Sequence, residues 1–202
     1  ELVTACCKAG VIGSFPSINA RTPELLEDWL LDIETSLTTA RAANPRQIVA
    51  PYAVNLIMHA SNSRRDTDLA ILVRRRVPLV IASVGNPGPA VRAIHDYGGK
   101  VYCDVATVKH ARRAIEAGVD GLILLCAGAG GHTGWINPFA FLREVRSFFD
   151  GPVVLAGGIT DGRAIRAAQL LGADGVYMGT RFLAAQESLA SEDYKRTLAA
   201  SS

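Results

Sequence analysis

Apolar and polar positions divide the chain into short apolar runs that alternate with longer stretches of helical spacing. The apolar runs are rich in valine, isoleucine and leucine and show little polar alternation, which is typical of parallel strands buried on both faces. The runs cover residues 11–15, 52–58, 78–84, 100–105, 120–126, 152–157 and 174–179. The pattern therefore predicts seven β-strands separated by helices.

The stretches between the runs carry signals that begin and end helices. Thr22 before Pro23 predicts an N-cap followed by proline at the first helical position, in a helix that extends to about Ala43. Gly118 and Gly172 predict left-handed residues at the ends of two later helices. By the same pattern, further N-caps are predicted at Asn86, Thr107, Asn137 and Thr160.

The same joint between a helix and a strand occurs twice. The segments "AIEAGVDGL" and "AAQLLGADGV" each end a helix with a glycine and enter a strand through Asp-Gly, which indicates repeated βα units. Such units form either an open doubly wound sheet or a closed (β/α)8 barrel. The opening segment "LVTACCKAGVIGSF" also resembles this joint. We therefore expect an α/β protein with a TIM-barrel fold that lacks the first strand, and residues 1–202 as a single domain.

Two glycine loops stand where barrels often bind phosphate, after strands seven and eight. The loops "AGGIT" and "MGTRF" follow the sixth and seventh predicted strands, which become the seventh and eighth if one strand is missing. Gly157 and Gly158 let the backbone approach an anion, and a helix N-terminus follows each loop. Thr180 can add a hydroxyl donor. The two loops together predict a phosphate site.

The loop "GAGGHTGW", residues 128–135, contains the candidate for proton transfer. His132 follows a predicted strand on the side where barrel enzymes carry catalytic loops, and an imidazole exchanges protons near neutral pH. Gly130 and Gly131 leave room for a flat ligand beside the backbone. The other three histidines, His59, His95 and His110, are interpreted as structural because they lie in helices or just past a strand.

Charge and cysteine content exclude several classes of partner. The 21 basic and 19 acidic residues give a net charge of +2, so no whole-molecule field would attract nucleic acid or a membrane. Four cysteines without a C-x-x-C pattern predict no metal site and no disulfide, and Cys103 and Cys126 are expected to be buried thiols. No signal peptide and no apolar run of about 18 residues is recognised. We therefore expect a cytoplasmic protein.

Three motifs together resemble those of the flavin-dependent nitronate monooxygenase family, also called 2-nitropropane dioxygenases. They are "GAGGHTG", "VLAGGITDGRAIRAAQLLGADGVYMGTRFLA" and "YAVNL", and the similarity extends over nearly the whole chain. The resemblance implies a (β/α)8 barrel that holds FMN without a covalent bond. It also implies oxidation of an alkyl nitronate or nitroalkane by O2 to a carbonyl compound and nitrite.

The resemblance assigns roles to individual residues. It implies that His132 is the acid-base residue beside the flavin ring. Asn55 would reach the ring, and the backbone at Gly130 and Gly131 would pass beside it. The flavin phosphate would contact Gly157, Gly158, Gly179 and Thr180.

The sequence departs from the family pattern at several points. Family members normally begin with a strand that carries an "APM"-like turn, and they continue well beyond the last barrel helix. We therefore expect a domain truncated at both ends relative to the family, lacking the C-terminal extension as well as the first strand. Gly128 stands where a glutamate often precedes "AGGH", and Asp104 stands where some relatives have lysine or glutamine.

Two alternatives remain open. The FMN-dependent enoyl-acyl-carrier-protein reductases share the same "GGH" and "GGI" motifs, and they would use NAD(P)H to reduce a carbon–carbon double bond. The second alternative is an inactive flavin-barrel fragment. In that case the open edges of a seven-stranded sheet would favour pairing with another copy of the chain, giving a homo-oligomer.

Overall fold

A computed structural model describes residues 1–201 of the chain. The chain divides into two compact units, Glu1–Tyr102 and Cys103–Ser202. The boundary between the units falls inside a strand, β4 (Lys100–Val105). Each unit is described by itself.

The first unit alternates helices with strands from its first residues onward. Its helices are α1 (Leu2–Lys8), a 3-10 turn (Ser17–Asn19), α2 (Pro23–Ala43), α3 (Arg65–Arg74) and α4 (Gly88–His95). Its strands before β4 are β1 (Gly13–Pro16), β2 (Tyr52–Ile57) and β3 (Leu79–Ser83). These three strands pair in parallel and in chain order, with Phe15 opposite Val54 and Val54 opposite Val80.

Helix α2 shows why the sequence forms these elements. Thr22 accepts a hydrogen bond at its side-chain Oγ1 from the Leu25 N–H at 3.2 Å, and this satisfies a donor that the first turn would leave unpaired. The buried side chains recur every three or four residues and therefore share one face of the helix. They are Leu26, Leu30, Ile33 and Leu37. That face packs α2 against α1 and α3.

The second unit repeats the same order of elements. Its strands after β4 are β5 (Gly121–Leu125), β6 (Val153–Ala156) and β7 (Gly175–Tyr177). Its helices are α5 (Val108–Glu116), α6 (Pro138–Arg146), α7 (Gly162–Leu171), α8 (Thr180–Leu183) and α9 (Glu192–Ala200). Strands β5, β6 and β7 are parallel, with Leu124 opposite Leu155 and Leu155 opposite Val176.

All seven predicted strands are confirmed, with ends that differ from the predicted ones by at most two residues. The long helix of residues 23–43 begins and ends as predicted. Gly118 and Gly172 have φ values of +88° and +112°, which confirms the left-handed ends of α5 and α7. Glycine is favoured at both positions because residues with a β-carbon rarely adopt that conformation.

Three of the five predicted N-caps, including Thr22 of α2, are confirmed and two are wrong. The side chains of Thr107 and Asn137 accept hydrogen bonds from the first turns of α5 and α6. Asn86 instead accepts from the Gly88 N–H in a turn of its own, and the N-cap of α4 is Pro87. Asp161 replaces Thr160 as the N-cap of α7, because its carboxylate accepts from the Ala164 N–H at 2.9 Å.

The prediction of buried thiols is confirmed for Cys103 and Cys126. Burial raises the pKa of the Cys103 thiol to about 12 and that of the Cys126 thiol to about 11. Both side chains are therefore neutral at physiological pH and act as small apolar groups. No helix within residues 1–201 has both the length and the apolar content needed to cross a membrane.

Candidate active site

The loop after β5 is closed at its base by hydrogen bonds between backbone groups. The Cys126 N–H donates to the Ala156 carbonyl of β6 at 2.9 Å, which extends the sheet by one residue. The Ala127 N–H then donates to the Ile136 carbonyl at 3.0 Å. Residues 128–135 therefore form a loop whose two ends are joined, directly after a buried strand.

Glycines determine the backbone conformation of this loop. Gly128 and Gly131 have φ values of +93° and +67°, in the left-handed region that disfavours side chains. Gly134 has a different constraint, because a β-carbon there would lie 2.1 Å from the Leu125 carbonyl oxygen. The Thr133 hydroxyl adds a side-chain hydrogen bond to the Cys126 carbonyl at 3.2 Å. The loop is thus held mainly by backbone conformation.

The structure places His132 at the outer part of this loop, between Gly131 and Thr133. Its side chain is exposed, and the structure describes no hydrogen bond to its ring within residues 1–201. Trp135, three residues further on, is 91% exposed. An imidazole and an indole ring are therefore both presented on the same short loop.

The loop after β6 contacts the loop after β5. Gly157 and Gly158 have φ values of +127° and +67°. The Gly158 N–H donates to the Gly128 carbonyl at 3.2 Å. A β-carbon at Gly157 would lie 3.0 Å from the Ala129 nitrogen, so this glycine permits the two loops to pack together. The predicted histidine loop and the first predicted phosphate loop are thus neighbours.

The two helix N-termini behind the predicted phosphate loops differ in charge. The Asp161 carboxylate occupies the N-terminus of α7, so an anion there would meet a negative charge. Helix α8 is a single turn that begins at Thr180, with Gly179 as its N-cap and no side-chain cap. Thr180 and Arg181 are both exposed. Charge therefore favours the α8 side for binding a phosphate.

Four glycines of the second unit have open space beside their backbone. No heavy atom lies within 4 Å of the position of a β-carbon at four of the predicted contact residues. They are Gly130, Gly131, Gly158 and Gly179. The residues present therefore fit a cofactor that carries a flat ring and a phosphate group, since both could approach main-chain atoms closely.

Asn55 belongs to the first unit, where it lies on β2 close to the carboxyl end of the strand. Its side-chain amide donates a hydrogen bond to the Ser83 hydroxyl at the end of β3. Asn55 is partly exposed, whereas Ser83 is buried. The side chain of Asn55 is thus held in one orientation at the carboxyl end of its strand.

Sequence reasoning missed three residues that shape these loops. Ser83 orients Asn55, Thr133 bonds the base of the histidine loop, and Asp161 caps α7. The Thr133 and Asp161 side chains stand within "GHTG" and "GITDG", so the motifs that contain them were visible. Ser83 had no such signal, because its partner is 28 residues away.

Successive parallel strands joined by helices, with loops at the carboxyl ends of the strands, define an α/β protein built from repeated βα units. Within that class, the sequence profile of the nitronate monooxygenase family matches residues 2–202. The chain belongs to the nitronate monooxygenase family, as its motifs predicted.

Two curated relatives illustrate the range of names in this group. A (3aS,4S,5R,7aS)-5-hydroxy-7a-methyl-1-oxo-octahydro-1H-indene-4-carboxyl-CoA dehydrogenase of Rhodococcus jostii is 31% identical over 195 residues, covering 96% of this chain and 51% of the relative. A nitronate monooxygenase of Pseudomonas aeruginosa is 37% identical over 142 residues, covering 65% of this chain and 40% of the relative. The chain thus spans about half the length of the curated relatives it matches.

Two solved structures match almost the whole chain. FabK from Thermotoga maritima has a TM-score of 0.78 and 32% identity, covering 96% of this chain and 58% of the other. A nitroalkane oxidase from Streptomyces ansochromogenes has a TM-score of 0.78 and 26% identity, covering 97% of this chain and 65% of the other. These matches confirm the predicted fold class, a (β/α)8 TIM barrel of which this chain forms part.

Proposed function

We propose that this chain carries the flavin site of an FMN-dependent oxidoreductase that oxidises alkyl nitronates or nitroalkanes with O2, giving a carbonyl compound and nitrite. The observation that supports it most is the exposed His132 on a loop that hydrogen bonds to the β6 glycine loop. The family and the names of a nitronate monooxygenase and a nitroalkane oxidase among its relatives support the substrate class.

FMN would be bound by residues of the loops that follow β5 and β6 and of the first turn of α8. Gly130 and Gly131 offer an open backbone for the ring. Gly158, Gly179 and Thr180 would hold the phosphate, with Gly157 keeping the β5 and β6 loops in contact. Asn55 of β2 is assigned to the ring by the family motif alone, and that assignment stays a prediction. FMN, when bound, supplies electron transfer between the substrate and O2.

His132 would accept the proton that the substrate loses in this reaction. A nitroalkane must lose a proton from the carbon that bears the nitro group before it becomes a nitronate. An unprotonated imidazole nitrogen can accept that proton, and the resulting imidazolium carries a positive charge opposite the nitronate anion. Because no protein partner is described for the ring, both nitrogens are accessible to a ligand.

Replacing the imidazole tests this role. We expect His132→Ala to retain its FMN and to lose about 100-fold or more in turnover, the scale of a general acid-base group. The assay is nitrite release from nitroethane, which requires removal of the proton, compared with ethylnitronate, which has already lost it, and bound FMN is measured by absorbance on the same sample. The matched control is His110→Ala, since His110 is exposed on α5 and makes its described bond through the backbone N–H.

Two results would contradict the proposal. Full turnover in FMN-loaded His132→Ala would remove this residue from the mechanism. A colourless wild-type protein that cannot be reconstituted with FMN would remove the flavin site itself.

A second candidate is NAD(P)H-dependent reduction of an enoyl thioester on the same flavin. It is supported by the similarity to a carboxyl-CoA dehydrogenase and to FabK, each matching at least 96% of this chain. The measurement that separates the two is bleaching of the flavin by NAD(P)H and its recovery with a crotonyl thioester. Recovery with the thioester and no nitrite from nitronates would favour the second candidate.

A further inference from the structure

A cavity of about 250 Å³ opens in the first unit at the amino ends of β2 and β3. Its wall combines the second half of α2, the first residue of β2 and the segment that joins α3 to β3. Asn55 lies toward the other end of the same strand. Since barrel enzymes build their active sites at the carboxyl ends of strands, this cavity is separate from the residues assigned to flavin.

One carboxylate in the cavity wall is already neutralised. Glu34 accepts a hydrogen bond from the Tyr52 hydroxyl at 3.1 Å, and its second oxygen pairs with the Arg75 guanidinium. Burial and the neighbouring Glu34 charge raise the pKa of the Tyr52 phenol well above its usual value. The phenol is therefore protonated at physiological pH and remains a donor to Glu34.

The remaining charge in the wall is positive. Three arginines, Arg41, Arg75 and Arg76, face one carboxylate, so the wall carries a net charge of +2. Arg41 makes no ion pair within the described residues, and its positive charge acts on the Cys7 thiol. Burial raises the pKa of that thiol, so it is neutral and does not balance the arginine.

One donor in the wall has no acceptor. The Arg75 Nε is buried, and it makes no hydrogen bond to any described residue. A buried donor without a partner is costly, which makes it a position where a bound acceptor would stabilise the protein. Arg76 is held close by through a hydrogen bond from its guanidinium to the Tyr97 carbonyl at 2.9 Å.

We propose that this cavity is a binding site for a small phosphate-bearing anion, held by Arg41 and Arg75 and separate from the flavin phosphate loops. Guanidinium groups bind phosphate oxygens through paired, charge-assisted hydrogen bonds. The Thr38 hydroxyl in the same wall can donate another bond. One water molecule needs roughly 10–15 Å³ on the same measure of volume, so the cavity has room for a phosphate group with water around it.

Titration of inorganic phosphate into the FMN-saturated full chain tests the site, because FMN then occupies the flavin loops. Isothermal calorimetry at constant ionic strength measures binding, and NMR follows the arginine Nε–H signals. We expect saturable binding to one site with a shift of the Arg75 signal. Arg41→Ala, and Arg75→Lys, which keeps the charge beside Glu34 but lacks the Nε–H donor, should each bind phosphate about tenfold more weakly or worse.

A control variant defines the contrary outcome. Arg113→Ala removes an exposed arginine of α5 and should bind phosphate like the wild type. The proposal is overturned if phosphate binding is absent, or if it is unchanged in Arg41→Ala and Arg75→Lys. Because flavin content is measured on each sample, failure of this site and failure of the flavin site give different results.

Discussion

The turn that follows β1 and the loops that follow β5 and β6 all leave the carboxyl ends of strands. The turn is held by side-chain hydrogen bonds, whereas the two loops are held by backbone hydrogen bonds. In the first unit, side chains hold the turn. Ser17 donates from its hydroxyl to the Asp68 carboxylate at 2.8 Å, and Arg64 pairs with the same carboxylate at 2.9 Å. Arg64 also donates to the Ala20 carbonyl at 2.5 Å.

In the second unit, the corresponding loops are held by backbone groups. Gly158 donates to the Gly128 carbonyl, and Ala127 donates to the Ile136 carbonyl. The outer side chains, including His132 and Trp135, are exposed. Because few side chains are used to hold the loop, its side chains and its glycine surface remain accessible to a ligand.

The two regions are therefore expected to tolerate different substitutions. A side-chain network fails when one polar group is removed and its partners lose their hydrogen bonds. A backbone-held loop fails when a β-carbon is added where no space exists. Three substitutions test this contrast, from the largest expected effect to the smallest.

Asp68→Ala should have the largest effect. Asp68 is 1% exposed and accepts from both Ser17 and Arg64, so its removal leaves a cation and a hydroxyl without their acceptor. We expect a loss of about 3 kcal/mol in the free energy of unfolding, measured by urea denaturation. The control Asp66→Ala removes an exposed carboxylate two residues away and should leave the free energy of unfolding nearly unchanged. Equal losses in the two variants would contradict the side-chain network.

Gly134→Ala should have an intermediate effect on stability and a large effect on the site. The added β-carbon would lie 2.1 Å from the Leu125 carbonyl oxygen, so the loop must move. We expect a cost of about 2 kcal/mol, together with weaker FMN binding in the same protein. Gly130→Ala is the matched control, because no atom lies within 4 Å of its β-carbon and unfolding should be unchanged. An unaltered Gly134→Ala protein would show that the loop path does not depend on this contact.

Asp174→Asn should have the smallest effect, and one that depends on pH. Burial raises the pKa of the Asp174 carboxyl, but hydrogen bonds from the Val153 N–H and the Arg146 guanidinium outweigh it, so the pKa lies below its usual value. A lowered pKa stabilises the fold above the unfolded pKa of about 3.9, and this contribution is lost as pH falls through the folded pKa.

The variant should therefore cost about 1 kcal/mol at pH 7, and the difference from wild type should shrink in acid. Urea denaturation at both pH values measures this. A difference that stays constant between neutral and acid pH would contradict a role for the Asp174 charge.

Much of the fold could be predicted because its signals are local. The seven apolar runs, the Thr22 and Thr107 caps and the glycines at 118 and 172 each depend on neighbouring residues alone. The wrong predictions concern N-caps, where two neighbouring residues could each begin the helix. Asp161 rather than Thr160 caps α7, since both side chains could serve and the carboxylate binds the backbone N–H more strongly.

The candidate site was predicted in part. The sequence identified His132 and the glycines around it, because an imidazole between glycines has a recognisable pattern. It could not show that Gly157 packs against Ala129 whereas Gly158 is open, since both glycines look alike in the sequence. The roles of these residues toward FMN remain predictions.

The order of strands and helices and the family of this protein could be read from the sequence alone. Which polar side chains meet is visible only in the folded chain: Ser17 with Asp68, Asn55 with Ser83, and Glu34 with Tyr52 and Arg75. Local conformation depends on neighbours along the chain, whereas these contacts join residues 18 to 51 positions apart that only the packed fold brings together.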